Sequence, residues 1–330
     1  MGSSGAATVS QPTDSACMGV EHARRKSPRS TLEECCASTS YKSVSCEAEY
    51  KLGRLLGDGS QGAVYHATRR STGEEVALKV VDIPAGEREA SVMRNVEEEI
   101  LALRGCSHRS VLGLIDVFAI DSPRPGVVGT VYIVTDLSLG GDLLAAVEHR
   151  PYKEADAKVV MAQLCSAVRH LHERRVIHCD IKLENVLLDS RTSGVKLADM
   201  GMCRRTVERG QGMSRRGLAG SVLYIQPEQL AGDGVYNEKV DIWSLGVLLY
   251  IMLCGHAPFN GPSEDAVFRK IQLGEFSWDW RFEAVSGEVK DLIRGMLEVD
   301  PAKRPAIEAV IEHPWLKEAS RLWEEHSAKK

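Results

Sequence analysis

The sequence predicts an α+β chain of two unequal units, a small antiparallel strand-rich one followed by a larger, mainly α-helical one. Three observations carry this reading. Short runs of β-type residues separated by glycine turns begin at Tyr50, an apolar stripe at helical spacing lies near residue 100, and helical periodicity dominates beyond Gly140-Gly141. The 330 residues suit two compact units at about 150 residues each.

Residues 1–47 are rich in Ser, Thr and Ala with few large apolar groups, the composition of a disordered tail. Within it, Arg24-Arg25-Lys26-Ser27-Pro28 reads as a solvated charge cluster, with a phosphorylation target as the sharper alternative. Strands are expected at Tyr50–Leu56, Ala63–Thr68 and Glu75–Val81, an antiparallel meander turned by Gly57-Asp58-Gly59-Ser60-Gln61-Gly62 and by Ser71-Thr72-Gly73. Val92, Val96, Ile100 and Leu103 then share one face of a helix. Two more strands, Val111–Phe118 and Val131–Leu137, flank a loop at Asp121–Gly126. Helical patterning runs from there to Leu316, broken by strand-like pieces at Val186–Leu188 and Val195–Leu197.

Charge and apolar runs exclude whole classes of function. Lys plus Arg number 41 against 46 Asp plus Glu, a net charge of −5, so no global basic field exists for nucleic acid. The longest apolar run, Trp243–Cys254, falls short of the ~18 residues a membrane span requires. Nine cysteines with no Cys-x-x-Cys pair, and no secretory leader pattern, favour a reducing compartment. The expected location is cytoplasmic, with the nucleus left open.

Gly57-x-Gly59-x-x-Gly62 is ambiguous alone, since dinucleotide-binding turns share the spacing and Asp82 stands about 20 residues on, where they place an acid. Such a fold needs a helix opening at the third glycine. Ala63-Val64-Tyr65-His66-Ala67-Thr68 reads instead as a returning strand, so the loop joins two strands and leaves backbone amides open to phosphate oxygens. Lys79, on the third strand, supplies a cation beneath it.

The glycine loop, Val76-Ala77-Leu78-Lys79, His178-Cys179-Asp180-Ile181-Lys182-Leu183-Glu184-Asn185, Asp199-Met200-Gly201, Gln226-Pro227-Glu228, Asp241-Ile242-Trp243-Ser244-Leu245-Gly246 and Arg304 occur in this order. Together they resemble the motif set of the eukaryotic-type serine/threonine protein kinases over residues 50–316. The resemblance implies a bilobal fold with an N-lobe at 48–135, a hinge at 136–141, a C-lobe at 142–316 and a short C-terminal tail at 317–330. It implies ATP as phosphoryl donor, a magnesium ion (Mg2+) as cofactor and protein substrates.

Residue roles follow from the same resemblance. Lys79 pairs with Glu99, chosen over Glu97 and Glu98 because it lies nine residues before His108. Asp180 orients the acceptor hydroxyl and receives its proton, Lys182 neutralises the moving phosphoryl group, and Asn185 and Asp199 hold metal. Leu56, Gly57, Gly59, Gly62 and Val64 form the roof of the nucleotide site; Ala77, Asp136, Leu137 and Asp142 complete it. Thr135, before the hinge, is small enough to leave the back of the adenine pocket open.

Departures from the pattern also matter. Cys179 replaces the usual arginine, Met200 replaces Phe and Gln226 replaces Ala, while Thr206, Ser214 and Ser221 lie among Arg204, Arg205, Arg209, Arg215 and Arg216. Leu253–Phe259, Asp300–Pro305 and His313-Pro314-Trp315-Leu316 resemble the calcium/calmodulin-dependent kinase group. No EF-hand loop is visible and 14 residues follow Leu316, so calmodulin control in cis is not expected. Asp142 and Glu184 suggest a preference for basic residues upstream of the acceptor. The expected state is a monomer, and a kinase-like scaffold without turnover is the alternative.

Overall fold

The computed structural model describes residues 45–59, 62–122, 124–189, 194–206, 213–214, 222–231 and 235–328. Ser27, Ser221, Arg209, Arg215 and Arg216 lie outside the described residues.

Five antiparallel strands form one sheet in the order β1-β2-β3-β5-β4: β1 (Tyr50–Gly59), β2 (Gly62–Arg69), β3 (Glu75–Pro84), β4 (Leu114–Asp121) and β5 (Val127–Asp136). Strand alternation gives the sheet two faces. Val76, Leu78 and Val134 pack with Ala67, Phe118, Tyr50 and Cys46 on one. Lys79, Val81 and Ile83 point to the other, where α2 (Glu89–Gly105) lies. The preceding turn of helix, α1 (Cys46–Glu49), closes the first face. Cys46, placed in the tail on composition, is 1% exposed there, and its burial pulls the chain into the fold two residues earlier than that boundary.

β4 begins at Leu114 rather than Val111 because the chain before it has another partner. Val111 forms a parallel bridge with Leu197, and Leu112 N–H donates to the Leu197 carbonyl at 2.9 Å. On α2 the buried stripe is Met93, Val96, Glu99, Ile100 and Leu103, so a carboxylate sits on the apolar face and needs a partner there.

The second unit begins with α3 (Leu143–His149), capped by Asp142, whose Oδ1 accepts from Ala145 N–H at 2.8 Å. It continues with α4 (Glu154–Glu173), the short strands β6 (Val176–Ile177), β7 (Val186–Asp189), β8 (Gly194–Leu197), β9 (Arg204–Arg205) and β10 (Met213–Ser214), then α5 (Pro227–Leu230) and β11 (Val235–Tyr236). β6 pairs with β9, β7 with β8, and β10 with β11. The helices α6 (Lys239–Cys254), α7 (Glu264–Leu273), α8 (Gly287–Met296), α9 (Ile307–Ile311) and α10 (Lys317–Ala328) complete it.

α6 carries the longest apolar run and is buried on every side from Val240 to Cys254, which explains why it lacks a polar face. It passes close to α8: a Cβ on Gly246 would lie 2.9 Å from that of Met296. Arg304, with no exposed side-chain surface, makes a two-pronged pair with Glu228 at 2.9 and 3.0 Å, fixing the end of α9's approach loop to α5. Among the described residues no helix is long and apolar enough to cross a membrane. The fold is the bilobal one expected, with a strand-rich first lobe and a helical second.

Candidate active site

Two groups of side chains meet between the lobes. In the first, β3 presents Lys79 and α2 presents Glu99, whose two oxygens accept from Lys79 Nζ at 2.8 and 2.9 Å. Asp199, from the loop after β8, accepts from the same ammonium through Oδ1 at 3.1 Å. Burial opposes charge on Lys79, but Glu99 and Asp199 outweigh it and hold its pKa above the ordinary lysine range. Asp199 likewise loses solvation, yet the Lys79 ammonium holds its carboxyl below the usual range. Asp199 has φ 61°, a left-handed backbone that turns its carboxylate back to accept from Gly201 N–H at 3.3 Å. Of the three candidate glutamates only Glu99 reaches the lysine among these contacts.

In the second group, Asp180 Oδ2 accepts from Lys182 Nζ at 2.8 Å and from Asn185 Nδ2 at 2.9 Å. Asn185 Nδ2 also donates to the Asp180 carbonyl at 2.8 Å, locking the loop onto itself. The groups are joined through one residue. Ala198 N–H donates to the Asn185 carbonyl at 2.8 Å, and the Ala198 carbonyl accepts from His178 Nε2 at 3.1 Å. His178 Nδ1 accepts from Asp180 N–H at 3.3 Å, which puts the ring proton on Nε2.

A fully buried carboxylate on α6 holds this loop from behind. Asp241 accepts from His178 N–H and Cys179 N–H, each at 2.9 Å, and from His172 Nε2 at 2.8 Å. Burial pushes its carboxyl up, but the His172 hydrogen bond leads the contacts that bring it below the ordinary range. Cys179 has φ 64°, and that left-handed turn lets two successive amides aim at one side chain. The sequence marked Asp241 by its motif but gave no sign of this anchoring. His172, the other partner, carried no signal at all.

The roof is the β1–β2 hairpin. Gly57 and Gly59 have nothing within 4 Å of where a Cβ would stand, so crowding by the fold requires neither glycine. Gly62 differs: its φ is +123° and a Cβ would lie 2.4 Å from the Val80 carbonyl oxygen. Val64 faces Lys79 across the β2–β3 ladder, and Ala77 faces Thr135 across β3–β5. Leu56 is partly exposed on β1, and Thr135 is buried at 7% exposure.

Two of the expected site residues, Asp136 and Asp142, have other duties. Asp136 Oδ2 accepts from Lys196 Nζ at 2.8 Å and from Gly113 N–H at 3.1 Å, so its carboxylate is engaged with β8 and the strand before β4. Asp142 caps α3. Gly140 and Gly141 tie the connecting segment to β7 through Leu188, whose carbonyl leaves no room for a Cβ on Gly140. Leu137 is half-buried in that segment. Gln226, buried, donates to the Tyr224 carbonyl at 3.1 Å and to Ser244 Oγ at 3.2 Å, and Tyr224 Oη accepts from Leu183 N–H at 3.2 Å.

Residues 50–316 match the family described as the protein kinase domain. The chain belongs to the protein kinase family. Its relatives include serine/threonine-protein kinase DCLK3 of Mus musculus, 33% identical over 83% of this chain and 34% of that protein. Serine/threonine-protein kinase 33 of Mus musculus is 31% identical over 82% of this chain and 55% of its own length. Calcium-dependent protein kinase 5 of Plasmodium falciparum is 32% identical over 81% and 45% respectively. The chain therefore spans between a third and just over half of these relatives. Their names bear out the resemblance to serine/threonine kinases, including the calcium-dependent group.

Proposed function

We propose that this kinase domain transfers the γ-phosphoryl group of ATP to serine and threonine hydroxyls of proteins. The observation that supports this most is the joining of two complete polar groups, Lys79-Glu99-Asp199 and Asp180-Lys182-Asn185, through Ala198. Phosphoryl transfer asks for fixed cations and alignment rather than a strong nucleophile, and both are supplied here.

In this reading Lys79 binds the nucleotide phosphates, kept charged and immobile by two carboxylates. Asp180 has Oδ2 committed to Lys182 and Asn185, so its second oxygen is the one that aligns the acceptor hydroxyl and takes its proton as the bond forms. Lys182 offsets charge on the moving group. The donor set suits magnesium: Asp199 offers a carboxylate, and Asn185, with its NH₂ committed to Asp180, offers its amide oxygen. Hard oxygen atoms in small number are what this ion takes from a protein when phosphates and water supply the rest. Bound Mg2+ would neutralise phosphate charge at the cleft. Glu184, exposed four residues after Asp180, supports a preference for basic residues upstream of the acceptor. ATP as donor supports an intracellular, cytoplasmic setting.

Asp180→Asn and Asp199→Ala, assayed with Mg-ATP and a mixed peptide library, test the reading. Asp180→Asn lowers kcat by about 10²–10⁴-fold with the KM for ATP near that of the parent. Asp199→Ala abolishes turnover. Incorporation undiminished in both variants would mean a contaminating activity, and none in the parent would favour a nucleotide-binding scaffold.

A further inference from the structure

α10 lies beyond the residues that match the kinase family, yet its side chains bond to residues well inside that match. The guanidinium carbon of Arg109 sits 3.1 Å from the centroid of the Trp323 ring, and Arg109 Nη2 donates to the Trp323 carbonyl. One residue on, Glu324 Oε1 accepts from Ser166 Oγ at 2.6 Å and from Arg169 Nη2 at 2.8 Å, both on α4.

These contacts converge on the connector between α2 and β4. His108 Nδ1 accepts from Ser110 N–H at 3.1 Å, so Nε2 carries the proton and donates to Ser166 Oγ, 3.1 Å away. The hydrogen bonds run in one direction, from His108 to Ser166 to Glu324. Burial, helped by nearby His170, holds the His108 pKa down to about 4, which keeps this neutral arrangement at physiological pH. The connector is also bonded to β8: Leu197 N–H donates to the Ser110 carbonyl at 2.8 Å and the Leu197 carbonyl accepts from Leu112 N–H at 2.9 Å. Leu197 leads within two residues to Asp199, and Gly105, just before the connector, ends the helix that carries Glu99.

We propose that α10 is a strut of the active site: by holding Arg109 directly and His108 through Ser166, it fixes the connector at residues 106–113 and so positions Glu99 against Lys79. Trp323 and Glu324 are then positioning residues for phosphoryl transfer, an inference that rests on the kinase reading above. A carboxylate at the end of a helix whose C-terminal anchor is loose spends less time at 2.8 Å from its lysine, and Lys79 then lines up with phosphate less often.

The test compares the full chain with Trp323→Ala, Trp323→Phe and Glu324→Gln, by amide hydrogen exchange and steady-state kinetics. Trp323→Ala speeds exchange about 10-fold in the connector and the second half of α2, and lowers kcat about 10-fold with the KM for peptide unchanged within about twofold. Trp323→Phe, which keeps a ring over Arg109, restores both within about twofold, and Glu324→Gln has a smaller effect of about threefold. Faster exchange confined to α10, or spread equally into α6, would overturn the strut. Should Trp323→Ala fail to fold, Glu324→Gln decides alone: unchanged exchange at the connector refutes the proposal. Absence of turnover in the parent would refute the kinase reading, while the exchange measurements would still decide whether α10 holds the connector.

Discussion

Asp241 shows how much of the site's order depends on a residue that touches none of the reacting groups. It is fully buried and accepts three hydrogen bonds from residues 172, 178 and 179. Its folded pKa is depressed, so its stabilising effect is complete above the unfolded value of about 3.9 and is lost as pH falls through the lower folded value. Asp241→Asn therefore lowers unfolding free energy by about 3 kcal/mol near neutrality. In urea titrations the gap between parent and variant narrows as pH drops below about 4; a gap that widens instead would contradict the assignment. The motif residues were readable one by one because their spacing along the chain is their signature. The backbone bonds that unite them were not, since φ 64° at Cys179 has no counterpart in composition or periodicity.

At the scale of elements, the glycine hairpin separates structural from chemical need. Gly62→Ala forces a Cβ against the Val80 carbonyl at a left-handed φ and costs about 1–3 kcal/mol of stability by urea denaturation. Gly57→Ala meets no atom within 4 Å, so stability stays within about 0.5 kcal/mol while the KM for ATP rises severalfold. Equal destabilisation by both would contradict the absence of neighbours around a Cβ at Gly57. Alternating residues announced these strands, and the stripe from Val92 to Leu103 announced α2. Strand ends were less readable: β4 starts late because Val111 and Leu112 pair with Leu197, a partner 86 and 85 positions away that no local pattern encodes.

At the scale of the whole molecule, the lobes share one ammonium. Lys79 belongs to the sheet and Asp199 to the second lobe, and their 3.1 Å contact crosses between them. Mg-ATP at about 100 times its Kd adds about 2.7 kcal/mol to the folded state, a rise in Tm of roughly 5 °C for a domain of this size. Chelating the metal shrinks that rise in the parent, whereas Asp199→Ala shows no difference between the two conditions. Differential scanning fluorimetry reads both arms, and a metal-dependent shift that survives in the variant would remove Asp199 from the metal site. Both ends of the described fold exceed what the family pattern marks. Cys46 fills one face of the sheet from before residue 50, and from beyond residue 316 Trp323 bonds to Arg109 and Glu324 to Ser166 and Arg169. A chimera that borrows this domain at its family borders would carry two raw wounds, one under Tyr50 and Phe118 and one beside Arg109. A transplant that keeps both contacts has to carry Cys46 at one end and Glu324 at the other.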